Sequence, residues 1–387
     1  MKKLTGSLKA ALVAMAVAGG AMGGVSLVHA EIRIGSTVSA TGFAAYLGEP
    51  EARTLKMLVD EINGKGGIDG EKINLISYDD AGDPNKARTF ATRLVEDDEV
   101  VAIIGGTTTG TTMAVMPVAE EGEVPFISLA GAIEIIKPVR PYTFKTPHTD
   151  RMACGKIFED MKARGITRIG MISGSDSFGS SMRKQCLDLV KEYGIEVLGD
   201  EVFGPTDADM TPQLTNLKNR KGVQAVLCLG LGSGPAIVTR NYAQLAVGLP
   251  LYQSHGVASD AFIELSGKKA AEGIRLPGTP LLVADLLPQN DLQRPVVQNY
   301  KKQYETATGK PVSTFGGYAH DALHLVVEAI RRAKDTDPVK IRDEIEKTSG
   351  HVGTTGRFTM SAEDHLGLDL TAFRMLEIRD GKWTLVN

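Results

Sequence analysis

From Glu31 onward, short apolar runs alternate with segments whose apolar residues recur at helical spacing, and few folds accept that order. Glu31 to Ser36 reads as a strand. Leu55, Leu58, Val59 and Ile62 then fall on one helical face, and Gly66-Gly67 stops the helix. Ile73 to Tyr78 is the next strand. Asp83-Pro84 follows it as an N-cap with proline at the first helical position, and Ala87, Phe90, Ala91, Leu94 and Val95 form the buried stripe of the helix behind it. Val100 to Ile104 is apolar throughout, as a strand covered on both faces must be. A Gly/Thr loop, another helix and the strand Pro125 to Ser128 complete the series. Strict β-α-β-α alternation implies a parallel sheet wrapped by helices.

The pattern breaks at Lys145 to Asp150 and then restarts. A helix is expected from Met152 to Ala163, then a strand from Arg168 to Ile172, a helix after Gly179, and strands at Glu196 to Phe203 and Gln224 to Leu229. Ser233 and Pro235 open a further helix, and more follow near Val296 to Thr306, Ala319 to Ala333 and Pro338 to Lys347. In the tail, Phe373 to Ile378 and Lys382 to Val386 flank Asp380-Gly381, a hairpin signal. The chain thus contains two similar α/β halves. No flexible linker separates them, so they are expected to be joined by strands that cross between them.

The first residues obey different rules. Met1-Lys2-Lys3 and Lys9 form a basic head, Ala10 to Val28 is small and apolar, and Val28-His29-Ala30 carries small residues where signal peptidase needs them. This reads as a secretory signal peptide over residues 1–30, cleaved after Ala30 and leading to the periplasm. The alternative is a retained anchor, which Gly19-Gly20 and Gly23-Gly24 disfavour. No later segment is apolar enough to span a bilayer. The formal net charge of −4, without a basic block, argues against nucleic acid as a partner. Cys154, Cys186 and Cys228 allow at most one intramolecular disulfide, and none has the close Cys or His neighbour of a zinc or redox motif. The expectation is three buried small side chains.

In open parallel sheets, ligands sit beyond the carboxyl ends of the strands. The loop Gly105-Gly106-Thr107-Thr108-Thr109-Gly110-Thr111-Thr112 lies there, directly before a helix. Glycines let a ligand approach the backbone, and threonine hydroxyls with free helix-start amides favour an anion. The loop lacks the lysine of a Walker motif, so a carboxylate fits better than a nucleotide phosphate. By local composition it reads equally well as an ordinary cap. Ser128-Leu129-Ala130-Gly131-Ala132, Ser175-Asp176-Ser177-Phe178-Gly179 and Gly230-Leu231-Gly232-Ser233-Gly234 hold the same topological place in the two halves. Two such loops from each half facing one cleft describe a clam-shell that closes on its ligand.

Catalytic patterns are not found. There is no Gly-x-Ser-x-Gly elbow and no His-Glu-x-x-His. Asp79-Asp80 reads as a solvated loop. His320 and Asp321 are adjacent on a helix and so point in different directions, which argues against a dyad. No enzyme activity, cofactor or metal is expected.

The run Asn63-Gly64-Lys65-Gly66-Gly67-Ile68-Asp69-Gly70-Glu71-Lys72-Ile73-Asn74-Leu75, ending at Tyr78-Asp79-Asp80, resembles the periplasmic binding proteins for leucine, isoleucine and valine. So do Asp83-Pro84, Ile104-Gly105 and Val124-Pro125 before Ser128, in order along the chain. The resemblance implies two doubly wound parallel-sheet lobes joined by a three-crossover hinge, the type I periplasmic binding protein fold. It implies a monomer without enzymatic activity that delivers a small ligand to an inner-membrane ABC permease. The lobes would comprise residues 31–148 plus 278–359 and residues 149–277 plus 360–387.

The family's ligand positions fall on Thr109, where a serine hydroxyl meets the ligand carboxylate, and on Ala130, whose backbone does the same. Ala132 stands where many members have threonine and Phe178 where many have tyrosine. Thr108 and Gly232 belong to the same loops. His255 occupies the place of a glutamate that binds an α-ammonium, and His320 lies near a usual tyrosine. The family's disulfide positions correspond to Ala81 and Thr108, so that bridge is missing. Histidine supplies no negative charge at neutral pH, and an ammonium buried without one is costly. The ligand is therefore expected to be a small carboxylate lacking an α-ammonium, unless Asp176, Asp260 or Glu49 takes over the role. Thr41 to Pro50, which includes the candidate ligand residue Tyr46, resembles the family branch associated with aromatic carboxylates, with Leu47 and Phe178 as apolar walls and His255 or His320 to hydrogen-bond a ring substituent or a second carboxylate. Branched-chain amino acids, and a ligand-sensing domain for a receptor, remain the alternatives.

Overall fold

The computed structural model describes residues 31–386, so the basic head, the apolar run and the cleavage site lie outside the described residues. The first half runs β1 (Ile32–Val38), α1 (Ala45–Gly64), β2 (Ile73–Asp79), α2 (Pro84–Glu96), β3 (Ala102–Gly105), α3 (Thr109–Glu121), β4 (Phe126–Ser128) and β5 (Thr143–Lys145). Its strands form one parallel sheet in the order β2-β1-β3-β4-β5. The expected cap of α2 forms, with Asp83 accepting from the Asn85 amide ahead of Pro84. The sequence break near Lys145 proves to be β5, a strand too short to show a period.

The second half repeats the plan. It runs α4 (Asp150–Ala163), β6 (Arg168–Gly174), α5 (Ser177–Tyr193), β7 (Glu196–Phe203), α6 (Thr211–Asn219), β8 (Ala225–Leu229), α7 (Gly234–Gln244), β9 (Leu251–Gln253), α8 (Asp260–Ser266), α9 (Lys268–Ala271) and β10 (Arg275–Gly278). The parallel strands lie in the order β7-β6-β8-β9-β10, the same winding as in the first sheet. In each sheet the order reverses beside the first strand of the unit, between β1 and β3 and between β6 and β8. That reversal opens a crevice at the carboxyl ends.

The remaining chain covers and ties the halves. α10 (Arg294–Thr308), α11 (Thr314–Ala333) and α12 (Pro338–Glu346) precede a small ribbon of β11 (Ser349–Val352) and β12 (Arg357–Thr359). α11 and α12 bury Leu323, Val326, Ile330, Ile341 and Ile345 in one apolar cluster with β1, β3 and α1. Leu281, Val283, Val297, Tyr300 and Tyr304 instead share a cluster with β8 and β10, while the Tyr300 hydroxyl meets Thr54 Oγ1 of α1 at 2.7 Å. β13 (Arg374–Arg379) and β14 (Lys382–Leu385) then join the second sheet antiparallel, around Asp380 and Gly381, both at positive φ as the hairpin signal requires. The chain crosses between the halves after β5, after β10 and before β13, which makes the three-crossover hinge. No described helix is long and apolar enough to cross a membrane.

One expectation is corrected. Cys154 on α4 and Cys186 on α5 are joined by a disulfide, their Cα atoms 5.2 Å apart, and Cys228 alone is a free buried thiol. The limit of one bridge holds, but the reading of three buried thiols does not. The two cysteines are far apart in sequence and meet only because α4 packs on α5.

Candidate ligand-binding site

The Gly/Thr loop divides its two possible roles between neighbouring residues. Thr108 is the N-cap of α3: its hydroxyl accepts from the Thr111 amide at 3.1 Å, and Thr111 Oγ1 accepts from the Thr108 amide, a reciprocal capping box. Its side chain is committed to the helix. Thr109, one residue on, is buried, and its Oγ1 has no hydrogen-bond partner. Gly106 makes the turn possible, since its φ is +65° and a Cβ there would lie 2.4 Å from Thr112 Oγ1.

Behind this loop, Ser128 Oγ meets Thr112 Oγ1 at 2.8 Å and accepts from the Ala130 amide at 3.1 Å. The Ala130 N–H is thus already engaged by its own loop. The Ala132 carbonyl accepts from Lys145 Nζ at 3.2 Å, and the His148 carbonyl does so more weakly at 3.4 Å. Lys145 is a fully buried ammonium that sequence reading missed. Burial pulls it down to about 7, against an opposing pull from Asp150. Leu47 is buried in the apolar cluster of the first half with Phe315 and Tyr318.

In the second half, the Asp176 carboxylate caps α5 through the amides of Phe178 and Gly179. The Phe178 ring stands edge-on to the His255 ring, centroids 5.4 Å apart, and Phe373 meets the other side of His255 at 5.6 Å. His148 stacks on Phe373 at 3.7 Å. Phe373 and His148 were not expected here; both come from hinge crossings, whose partners no local pattern reveals. His255 opens a short 3₁₀ turn capped by Ser254, whose hydroxyl donates to Gly230 O at 2.6 Å. Its Nδ1 is buried without a partner. Burial, with the Lys145 charge adding to it, holds the imidazole down at about 3, so it is neutral at physiological pH.

The halves touch across the cleft. The Tyr46 hydroxyl of α1 accepts from the Gly232 amide at 2.9 Å and donates to Gly256 O at 2.8 Å, both in the second half. Tyr46 thus ties the two halves across the cleft. A Cβ on Gly131 would lie 2.8 Å from His255 Nε2 and 2.9 Å from the Phe178 ring. One on Gly110 would lie 3.6 Å from Ser177 Oγ. These loops are therefore in contact, with Thr109 and His255 on opposite sides of the seam.

His320 is placed elsewhere. Its ring packs between Tyr300 and His324, and its Nδ1 lies 2.9 Å from Asp321 Oδ1. This corrects the expectation that adjacent residues would not pair. Asp321 also takes the amides of Thr354 and Thr355, each at 2.8 Å. Burial alone would raise its carboxyl, but His320 and those amides outweigh it and hold it below the usual range. The pair anchors the turn between β11 and β12. Of the acids named as substitutes for a glutamate at position 255, Glu49 pairs with Arg53 and Lys310 and Asp176 caps α5, whereas Asp260 lies among Glu264, Lys301 and Glu305. Among the described residues no cluster could hold a metal ion. A cavity of about 630 Å³ lies between Asp291, Arg357, Asp369 and Arg374.

Residues 31–382 match the family model described as periplasmic binding protein. A leucine-, isoleucine-, valine-, threonine- and alanine-binding protein from Pseudomonas aeruginosa is 26% identical over 363 residues, covering 91% of this chain and 93% of that protein. A Leu/Ile/Val-binding protein homolog 7 from Brucella suis is 30% identical over 229 residues, 56% of each chain. Among solved structures, an extracellular ligand-binding receptor from Rhodopseudomonas palustris HaA2 superposes with a TM-score of 0.86 at 29% identity, over 92% of this chain and 100% of that one.

Proposed function

Because this chain belongs to the periplasmic binding protein family, we propose that it is the periplasmic substrate-binding component of an ABC importer and that it captures a small carboxylate lacking an α-ammonium. The observation that carries the reading is the pair of unpartnered buried atoms at the seam, Thr109 Oγ1 on one side and the neutral imidazole Nδ1 of His255 on the other. A hydroxyl at a helix start is a donor for an anion. A neutral ring walled by Phe178 and Phe373 accommodates an apolar body and offers no charge to an ammonium. Aromatic acids suit those walls. Ala130, Ala132, Leu47, Tyr46, Phe178 and Gly232 complete the proposed lining, with Tyr46 and Gly232 also fastening the lobes. In this reading the protein is a monomer exported by a leader ending at Ala30, with lobes 31–148 plus 278–359 and 149–277 plus 360–387.

The names of the Pseudomonas and Brucella relatives favour a second reading, an aliphatic amino-acid ligand. That ligand needs an acid facing its ammonium, and Glu49 and Asp176 are otherwise engaged. The reading proposed here is tested by thermal-shift screening of amino acids, benzoates, phenylpropanoids and short-chain acids against the wild type and Thr109→Val. A saturating carboxylate should raise Tm in the wild type. Its affinity should fall about tenfold or more in the variant, the effect of removing a hydrogen bond to a charged group. Stabilisation by amino acids alone, or equal affinity in the variant, would overturn it.

A further inference from the structure

Glu51 lies one turn after Leu47 on α1, so the two side chains share a face of the helix. It is fully buried and reaches the switch point of the first sheet, where Thr107 Oγ1 donates to its Oε2 while accepting from the Ser39 amide at 2.9 Å. Ser39 follows β1 and Thr107 follows β3, the two strands between which the sheet order reverses. The other oxygen, Oε1, has no partner, and among the described residues Glu51 makes no ion pair. Burial drives its carboxyl well above the usual range, and the nearby Asp80 pushes it further up, against the Thr107 hydrogen bond.

Tyr318 on α11 is the second unpartnered group here. Its hydroxyl is buried and unbonded, and α11 packs on α1 on both sides of Glu51, since a Cβ on Gly316 would lie 3.3 Å from Pro50 O and 2.9 Å from Thr54 Oγ1. Phe315 links it to the seam, since the Phe315 ring packs against both Tyr318 and Tyr46, and Tyr46 is the residue that crosses to the second lobe.

We propose that Glu51 and Tyr318 form a second polar pole of the ligand site, which receives a hydroxyl substituent of the carboxylate ligand. The inference rests on the carboxylate reading above and adds the class of acid, a hydroxy acid. A hydroxyl both donates and accepts, which matches a carboxyl oxygen on one side and a phenol on the other. An ammonium only donates, and it would require charge on Glu51 beside Asp80 with a single hydroxyl supporting it. A buried pole built for a hydroxyl rejects the analogue that lacks one, because its own groups then go unpaired.

The test is calorimetric titration of the mature protein with matched acids: 4-hydroxybenzoate and benzoate, 3-(4-hydroxyphenyl)propionate and 3-phenylpropionate, 2-hydroxy-4-methylpentanoate and 4-methylpentanoate. The hydroxylated member of at least one pair should bind about tenfold tighter or more. Tyr318→Phe should erase that preference by weakening the hydroxylated member, with the deoxy member bound at least as tightly as by the wild type. Glu51→Gln, a neutral isostere that can still accept from Thr107 Oγ1, should retain it. Equal binding within every pair overturns the pole and leaves the carboxylate reading standing. So does a Tyr318→Phe protein that loses both members of a pair equally. Failure of all six acids overturns both. Wild-type binding of an amino acid that Glu51→Gln abolishes would identify the pole as an ammonium site instead.

Discussion

The two lobes share one winding and differ in what they bring to the seam. Each presents loops from the carboxyl ends of its strands at the point where strand order reverses. The first lobe brings hydroxyls, a buried acid and a buried amine: Thr107, Thr109, Glu51 and Lys145. The second brings rings and backbone: Phe178, the neutral His255, and the Gly232 amide and Gly256 carbonyl that hold Tyr46. Topology explains why the loops face one another. Side-chain chemistry then separates the work proposed for them, the first lobe for the polar groups of a ligand and the second for its apolar body. In the proposed reading, a ligand docks on the first lobe and the second closes over it.

That division can be broken most severely at Gly131. A side chain there meets His255 Nε2 and the Phe178 ring across the seam, so Gly131→Val should leave the separate lobes folded and block their closure. Overpacking of this kind costs about 1–3 kcal/mol, or about five- to hundredfold in affinity. Small-angle scattering should show wild-type protein contracting on ligand addition and the variant keeping its radius of gyration. Contraction of both would mean that the lobes do not meet at this glycine.

A milder cut is Tyr46→Phe. It removes the hydroxyl that bridges Gly232 and Gly256 and keeps the ring that packs on Phe315. Both backbone groups regain water when the cleft opens, so the loss is about threefold to tenfold. It should appear in the dissociation rate by stopped-flow, because the latch acts after docking. An unchanged dissociation rate would assign Tyr46 to the wall alone.

The architecture was legible because its signals are local. Apolar period, the Asp83-Pro84 cap and the Asp380-Gly381 turn each fix their own segment, and the structure bears them out. The site was legible only as loops. Thr108 and Thr109 have the same side chain, and which one caps α3 depends on backbone geometry that composition does not record. Lys145, His148 and Phe373 sit at hinge crossings and acquire their meaning from partners far away in sequence, as Cys154 does from Cys186. Resemblance could place His320 near the ligand, but its packing with Tyr300, His324 and Asp321 is a tertiary fact.

The central claim is that the seam holds a carboxylate and has no place for an α-ammonium beside His255. Calorimetric titration with two matched pairs, leucine against 4-methylpentanoate and phenylalanine against 3-phenylpropionate, tests it most directly. An ammonium buried without an opposing charge costs several kcal/mol, so in whichever pair binds, the acid without the amino group should be tighter by about a hundredfold or more. Micromolar binding of leucine or phenylalanine, equal to or tighter than its partner acid, would contradict the account.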